Sequence, residues 1–155
     1  MRGTRMVDVT TKPTVYREAI ASGKILLRKD TIKAIVEGKV EKGDVIQAAS
    51  IAAVLAAKNT PQIIPLCHPL PLTSIEPTFS INRDHIEVKV RVKTTAKTGV
   101  EMEALTAVTA ALLTIWDMVK GLEKDETGNY PYTRIQEIRV EKKTKGNKQE
   151  NKTID

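Results

Sequence analysis

The clearest periodicity lies past the middle of the chain, where Ile86, Val88, Val90 and Val92 alternate with Glu87, Lys89, Arg91 and Lys93. A period of two marks a strand with one wet face. The stretch 72–81 also alternates, and Asn82-Arg83-Asp84 separates the two, so the pair predicts a β-hairpin. Upstream, 14–28 mixes β-branched and polar positions and ends in Lys24-Ile-Leu-Leu27, which predicts a first strand. A last strand is predicted over 132–141, where Tyr132, Arg134, Gln136, Ile138 and Val140 alternate with Thr133, Ile135, Glu137 and Arg139.

Helical signals fill the gaps. Asp30 predicts an N-cap for a short helix over 31–37, with Gly38 as its stop. After a connection at 39–43, Asp44 predicts the cap of VIQAASIAAVLAAKN, whose alanines allow close packing and which Pro61 ends. Pro61, Pro65, Pro69 and Pro71 predict a rigid, non-helical connection over 60–71. The longest helix is predicted over 100–120, with Glu101 and Glu103 in its first turn, Lys120 in its last and Gly121 as stop. The order strand, helices, strand, strand, helix, strand predicts an α+β two-layer sandwich. Its antiparallel sheet carries helices on one face, as in the ferredoxin-like split βαβ motif.

Length and composition then bound the chain. At 155 residues it has room for one domain, read here as 1–145, with a basic tail at 146–155. A hydrophobic share of 41% against 28% charged residues excludes global disorder. With one Phe, one Trp and three Tyr, the core must be aliphatic and alanine-rich. The lone Cys67 forms no internal disulfide, and the basic start runs into Met6-Val-Asp-Val without an apolar signal core, so the cytoplasm is expected. Polar residues interrupt 45–57 and 104–119 before the ~18–20 apolar residues of a bilayer span, so no membrane span is expected.

The net charge of +6 suits an anionic partner. Half of it comes from 139–155, where Arg139, Lys142, Lys143, Lys145, Lys148 and Lys152 outnumber Glu141, Glu150 and Asp155. That segment has little to bury and is expected to be mobile beyond Gly146. A nucleic-acid-binding domain would explain the charge, but the strands lack exposed stacking aromatics and any RNP-like motif. A phosphorylated small molecule fits better.

Three clusters could carry chemistry. Pro65-Leu-Cys-His-Pro-Leu-Pro71 sets Cys67 beside His68 on a stiff backbone, without the CxxC or HxxxH spacing of a zinc site. Lys97-Thr-Gly-Val-Glu-Met-Glu103 places two carboxylates at the mouth of the long helix, able to cap it or to accept from an N–H-rich, guanine-like edge. Asp117 and Lys120 share a helix face, and their apolar neighbours predict a partly buried pair tuned toward proton transfer. Glu103 and Asp117 lie 14 positions apart, about 21 Å along a helix, so one small ligand cannot touch both in one chain. A composite site at a two-fold interface is therefore expected.

MVDVTTK (6–12), KGDV (42–45), IPLCHPL (64–70), KTGVEMEALTA (97–107) and TIWDMVK (114–120) together closely resemble the molybdenum cofactor biosynthesis protein C family, MoaC, the cyclic pyranopterin monophosphate synthases. The resemblance covers about 6–143. It implies a lyase that rearranges 3′,8-cyclo-7,8-dihydroguanosine triphosphate to a cyclic pyranopterin phosphate and releases diphosphate, with no metal or organic cofactor. It further implies a hexamer built as a trimer of dimers. By position, Asp117 matches the catalytic aspartate and Lys120 its lysine partner. Leu66, Cys67, His68, Met102 and Glu103 match the substrate-contacting stretches, and Lys42, Arg17, Asp8, Lys12 and Glu101 match further polar groups of the site. The family's C-terminal KSGGKSG loop is here Lys143-Thr-Lys-Gly-Asn-Lys148, which leaves the phosphate-contacting choice among Lys143, Lys145 and Lys148 open.

Overall fold

The computed structural model describes residues 2–146. In order these form β1 (Val15–Leu26), α1 (Lys29–Val36), α2 (Val45–Lys58), α3 (Thr60–Ile63), β2 (Leu72–Ile81), β3 (His85–Ala96), α4 (Glu101–Glu123) and β4 (Arg134–Gly146). The sheet runs β2-β3-β1-β4 with every pairing antiparallel, and α2 and α4 pack on one another and on the sheet. This is the predicted α+β sandwich of ferredoxin-like type. The tail expected to be mobile, with Lys148 and Lys152 in it, lies outside the described residues.

The predicted alternation of β3 is the floor of the core: Ile86, Val88, Val90 and Val92 are all fully buried. Ala19, Ala21 and Ile25 of β1 continue that floor. Above them α4 lays down Ala104, Ala107, Val108, Ala111, Leu112, Ile115 and Val119, and α2 adds Ala49, Ala53 and Ala57. Small side chains let the layers approach closely. Closest of all is Gly23, where an added Cβ would stand 2.8 Å from Leu112 Cδ1 and 3.0 Å from Val108 Cγ1. Opposite Gly23 the β1–β4 register slips between Ser22 and Lys24, and Glu137 takes a positive φ of 57°. The extra residue bends the edge strand and brings Ile138 over the glycine, 3.1 Å from where the Cβ would be.

Local signals set several ends as expected. The Asp44 carboxylate accepts from the Gln47 N–H and caps α2. Gly38, at φ 66°, ends α1 in a Schellman motif, with Lys39 N–H donating to Ala34 C=O and Gly38 N–H to Ile35 C=O.

Four expectations are corrected. Asp30 is not the cap of α1: it lies in the first turn, and the N-cap residue Arg28 contributes no side-chain bond. The 60–71 connection is not wholly non-helical, because Pro61 sits in the first turn of α3, where a missing N–H costs nothing. Gly121 does not stop α4, which runs on to Glu123. There the fully buried carboxylate accepts from Thr31 Oγ1 at 2.5 Å and Thr133 Oγ1 at 2.6 Å, and from the Arg28 N–H. Finally, β4 extends five residues past the predicted end at Glu141, paired with the first half of β1.

At 23 residues α4 is long and apolar enough, by length and composition, to cross a membrane, beyond what the sequence reading allowed. Its apolar stripe is the one that covers the sheet. Gly23→Val should cost about 1–3 kcal/mol through overpacking, because the Val108 and Leu112 side chains it would meet are themselves fully buried. Urea denaturation measures this directly, and an unchanged midpoint would contradict the packing described.

Candidate active site

A cleft of about 500 Å³ opens at the N-terminal end of α4. Three stretches meet there. The chain before β1 supplies Arg5, Val7, Val9 and Lys12; the turn after α3 supplies Leu66, Cys67, His68 and Leu70; the start of α4 supplies Glu101, Met102 and Glu103. The first stretch has no helix or strand of its own and is tied down by side chains beneath it. The His68 Nε2 lies 2.6 Å from the Val7 carbonyl, and Lys97 Nζ donates to the Thr10 carbonyl at 2.8 Å. Asp8 accepts from the Thr10 N–H and hydroxyl, which holds its carboxyl below the usual range and closes a local turn.

The two carboxylates of this cleft are tuned in opposite directions. Burial, with only 3% of the residue exposed, pushes Glu103 up, and the neighbouring Glu101 adds to the rise. Burial also opposes ionisation of Glu101, but the Lys143 ammonium 2.9 Å away and the Arg17 guanidinium outweigh it and hold Glu101 below its ordinary value. Arg17 is itself buried and donates to the carbonyls of Ala96 and Lys97. Burial and then Glu103 raise the Cys67 thiol, so it stays a thiol at neutral pH. Gly99 leaves room for Glu101, whose carboxylate would collide with any Cβ there. One group is thus disposed to hold a proton and the other to accept hydrogen bonds.

A second cleft, of about 520 Å³, lies at the other end of α4. Asp117 bridges two ammonium groups, Oδ1 to Lys120 at 2.8 Å and Oδ2 to Lys42 at 2.8 Å. Lys120 and Lys42 together pull the Asp117 carboxyl down to about 2, and Asp117 in turn raises Lys120. Trp116, next to Asp117, meets the ring of Tyr130 edge-on at 5.3 Å. The expected partial burial of the pair is corrected: the side chains of Asp117 and Lys120 are 56% and 44% exposed. Leu113 and the carboxylate's own face point outward, so the apolar neighbours bury the opposite side of the helix.

The structure therefore divides the sequence-predicted residues between two clefts. Leu66, Cys67, His68, Met102, Glu101, Glu103 and Lys12 meet at the first, with Arg17 beneath and Asp8 beside it. Lys42 is not with them; it joins Asp117 and Lys120 at the second. Sequence reasoning did not single out the anchoring role of Lys97 or the wall formed by Arg5, Val7 and Val9, because the chain before β1 carries no periodicity. Lys143 stands as the partner of Glu101, and Lys145 pairs in register with Arg17. Among the described residues no group of three or more His, Cys, Asp or Glu side chains is placed to hold a metal ion.

A model of the MoaC family matches residues 6–146. A protein of Aeropyrum pernix named probable cyclic pyranopterin monophosphate synthase is 64% identical over 146 residues, covering 94% of this chain and all of that one. A protein of Pyrococcus furiosus with the same name is 60% identical, covering 93% and 92% of the two chains. One of Methanothermobacter thermautotrophicus, named probable cyclic pyranopterin monophosphate synthase accessory protein, is 58% identical, covering 93% and 91%.

The raised Glu103 has a stability consequence. The folded state holds its proton to higher pH than the unfolded chain, so this group makes stability fall as pH rises from the ordinary glutamate range through the raised value. Glu103→Gln removes that loss. Its melting temperature should exceed wild type at pH 7, and the gain should vanish near pH 4. Scanning calorimetry at the two pH values checks it; a lower melting temperature at pH 7 would contradict the assignment.

Proposed function

The chain belongs to the MoaC family, and from that premise we propose that it is a cyclic pyranopterin monophosphate synthase of molybdenum cofactor biosynthesis. It is a lyase that converts 3′,8-cyclo-7,8-dihydroguanosine 5′-triphosphate to the cyclic pyranopterin phosphate and releases diphosphate, acting in the cytoplasm without a bound cofactor. The observation that carries this reading is the Lys42–Asp117–Lys120 bridge, a carboxylate set between two cations. Rearranging a purine needs an acceptor and a donor of well-separated acidity, and a triphosphate needs fixed positive charge. Asp117 is ionised and accepts; Lys120 carries the proton to give.

The cleft at the other end of α4 recognises the guanine-derived ring. Glu101 accepts from its N–H edge, Glu103, its acidity weakened by burial, lines the same space, and the exposed Leu66 and Met102 give it an apolar bed. Cys67 and His68 line the same space, with Lys12 at its rim and Asp8 holding the turn beside it. Arg17, Lys143 and Lys145 form a basic cluster between β1 and β4 suited to phosphate oxygens.

Glu103 and Asp117 remain about 21 Å apart along one rigid helix, so the substrate meets both only if two chains each lend one end of α4. The assembly is accordingly a homo-oligomer, a hexamer as a trimer of dimers, in which two-fold contacts join the half-sites and exclude water from the ion bridge. Exposed Ile51 and Leu55 on α2 and Leu113 on α4 are apolar surface that further burial between chains would use.

Supplying the cyclised nucleotide and measuring pterin and diphosphate tests the reading. Wild type should turn over, while Asp117→Asn and Lys120→Ala should each lose about 10²–10⁴-fold in kcat with circular dichroism unchanged. Normal turnover by either variant would remove that residue from the reaction, and a stable monomer in light scattering would remove the shared site.

A further inference from the structure

Glu123 is the most deeply buried charged residue of the described chain, and nothing in the reaction above uses it. Its carboxylate meets three donors, two from the start of α1 and one from the residue before β4. The Arg28 N–H reaches both oxygens, at 3.2 and 3.1 Å; Thr31 Oγ1 donates to Oε2 from the first turn of α1; and Thr133 Oγ1 donates to Oε1 from the residue before β4. No cation pairs with it among the described residues, so neutral donors and the positive end of α1 compensate the charge. Helix α1 has no side-chain cap of its own. Glu123, from the far end of α4, is its cap.

The other end of α1 leads back to the same helix. After the Schellman turn at Gly38, the chain 39–43 returns and places Lys42 Nζ 2.8 Å from Asp117. Asp117 and Glu123 are six positions apart, about 9 Å along α4, and the eight residues of α1 span about 12 Å. Helix α1 is thus a short strut fixed to α4 at both ends, by a buried carboxylate at its start and by an exposed ion pair just after its finish. An exposed pair alone holds little.

We propose that Glu123 is a positioning residue for the Lys42–Asp117–Lys120 bridge: by capping α1 across the α4–β4 junction it fixes the strut that brings Lys42 to Asp117. The catalytic part of this inference rests on the function proposed above, but the geometric part does not. Two variants test it. Glu123→Ala deletes the cap; Glu123→Gln keeps the shape, removes the charge, and turns one acceptor into a donor facing donors.

The deciding readout is the Asp117 carboxyl titration by carbon-13 NMR without substrate, on the intact oligomer. In the folded variants its midpoint should rise from the wild-type value toward the ordinary aspartate value as Lys42, one of the two cations that lower it, drifts away. With the cyclised nucleotide, kcat should fall about tenfold to a hundredfold with KM nearly unchanged, since Glu123 touches no substrate. A merely structural glutamate would lower the melting temperature and leave the Asp117 midpoint where it was. That unchanged midpoint in Glu123→Gln overturns the proposal, whether or not Glu123→Ala folds. Should wild type fail to turn over the nucleotide, the function falls while the midpoint still decides the role of Glu123.

Discussion

A straight helix of 23 residues cannot bring its two ends to one small molecule, and most of what this protein can do follows from that. The stiffness of α4 comes from its bed. Alanines and β-branched residues lock it against β1 and β3, with Gly23 admitting Leu112 and Val108 closer than any side chain would allow. A helix held so tightly keeps its first turn and its last two turns at fixed stations. One station holds two carboxylates and the Cys67–His68 turn; the other holds the ion bridge.

The electrostatics of the stations differ in kind. At the first, burial does most to set acidity: it lifts Glu103 and the Cys67 thiol, while the Lys143 ammonium, a backbone N–H and Arg17 hold Glu101 below its ordinary value. At the second, paired charges in open solvent separate the acidities of Asp117 and Lys120 further than either would be alone. Such a pair is a weak acid and a weak base while water surrounds it. Covering it with a second chain would desolvate both groups, and desolvation raises the carboxyl and lowers the ammonium, making the one a better base and the other a better acid, which is why the shared site and the proposed chemistry stand together.

Features that depend on neighbours in sequence were legible there. The β3 alternation, the Asp44 cap and the Gly38 stop each need only a few adjacent residues, and the element order carried them to the sheet topology. Features that depend on distant partners were not. Gly121 reads as a helix stop until Glu123 finds Thr31 and Thr133, 92 and 10 positions away. Asp30 reads as a cap until that same carboxylate takes the position. For the site, the i,i+3 spacing gave the Asp117–Lys120 contact, but their exposure depends on which side of α4 the sheet occupies. Lys42, 75 positions from Asp117, entered only through the family resemblance and with no indication of its partner.

The separation of the two stations makes the shared site the claim on which the rest turns. Glu103→Ala chains, lacking one half-site, can be mixed with Asp117→Asn chains, lacking the other, after dissociation and reassembly. If each site draws its halves from two subunits, random pairing leaves about one site in four intact, and the mixture should regain about a quarter of the wild-type rate from two inactive parents. A mixture as inactive as its parents, with subunit exchange verified, would show that each chain completes its own site and would contradict the account.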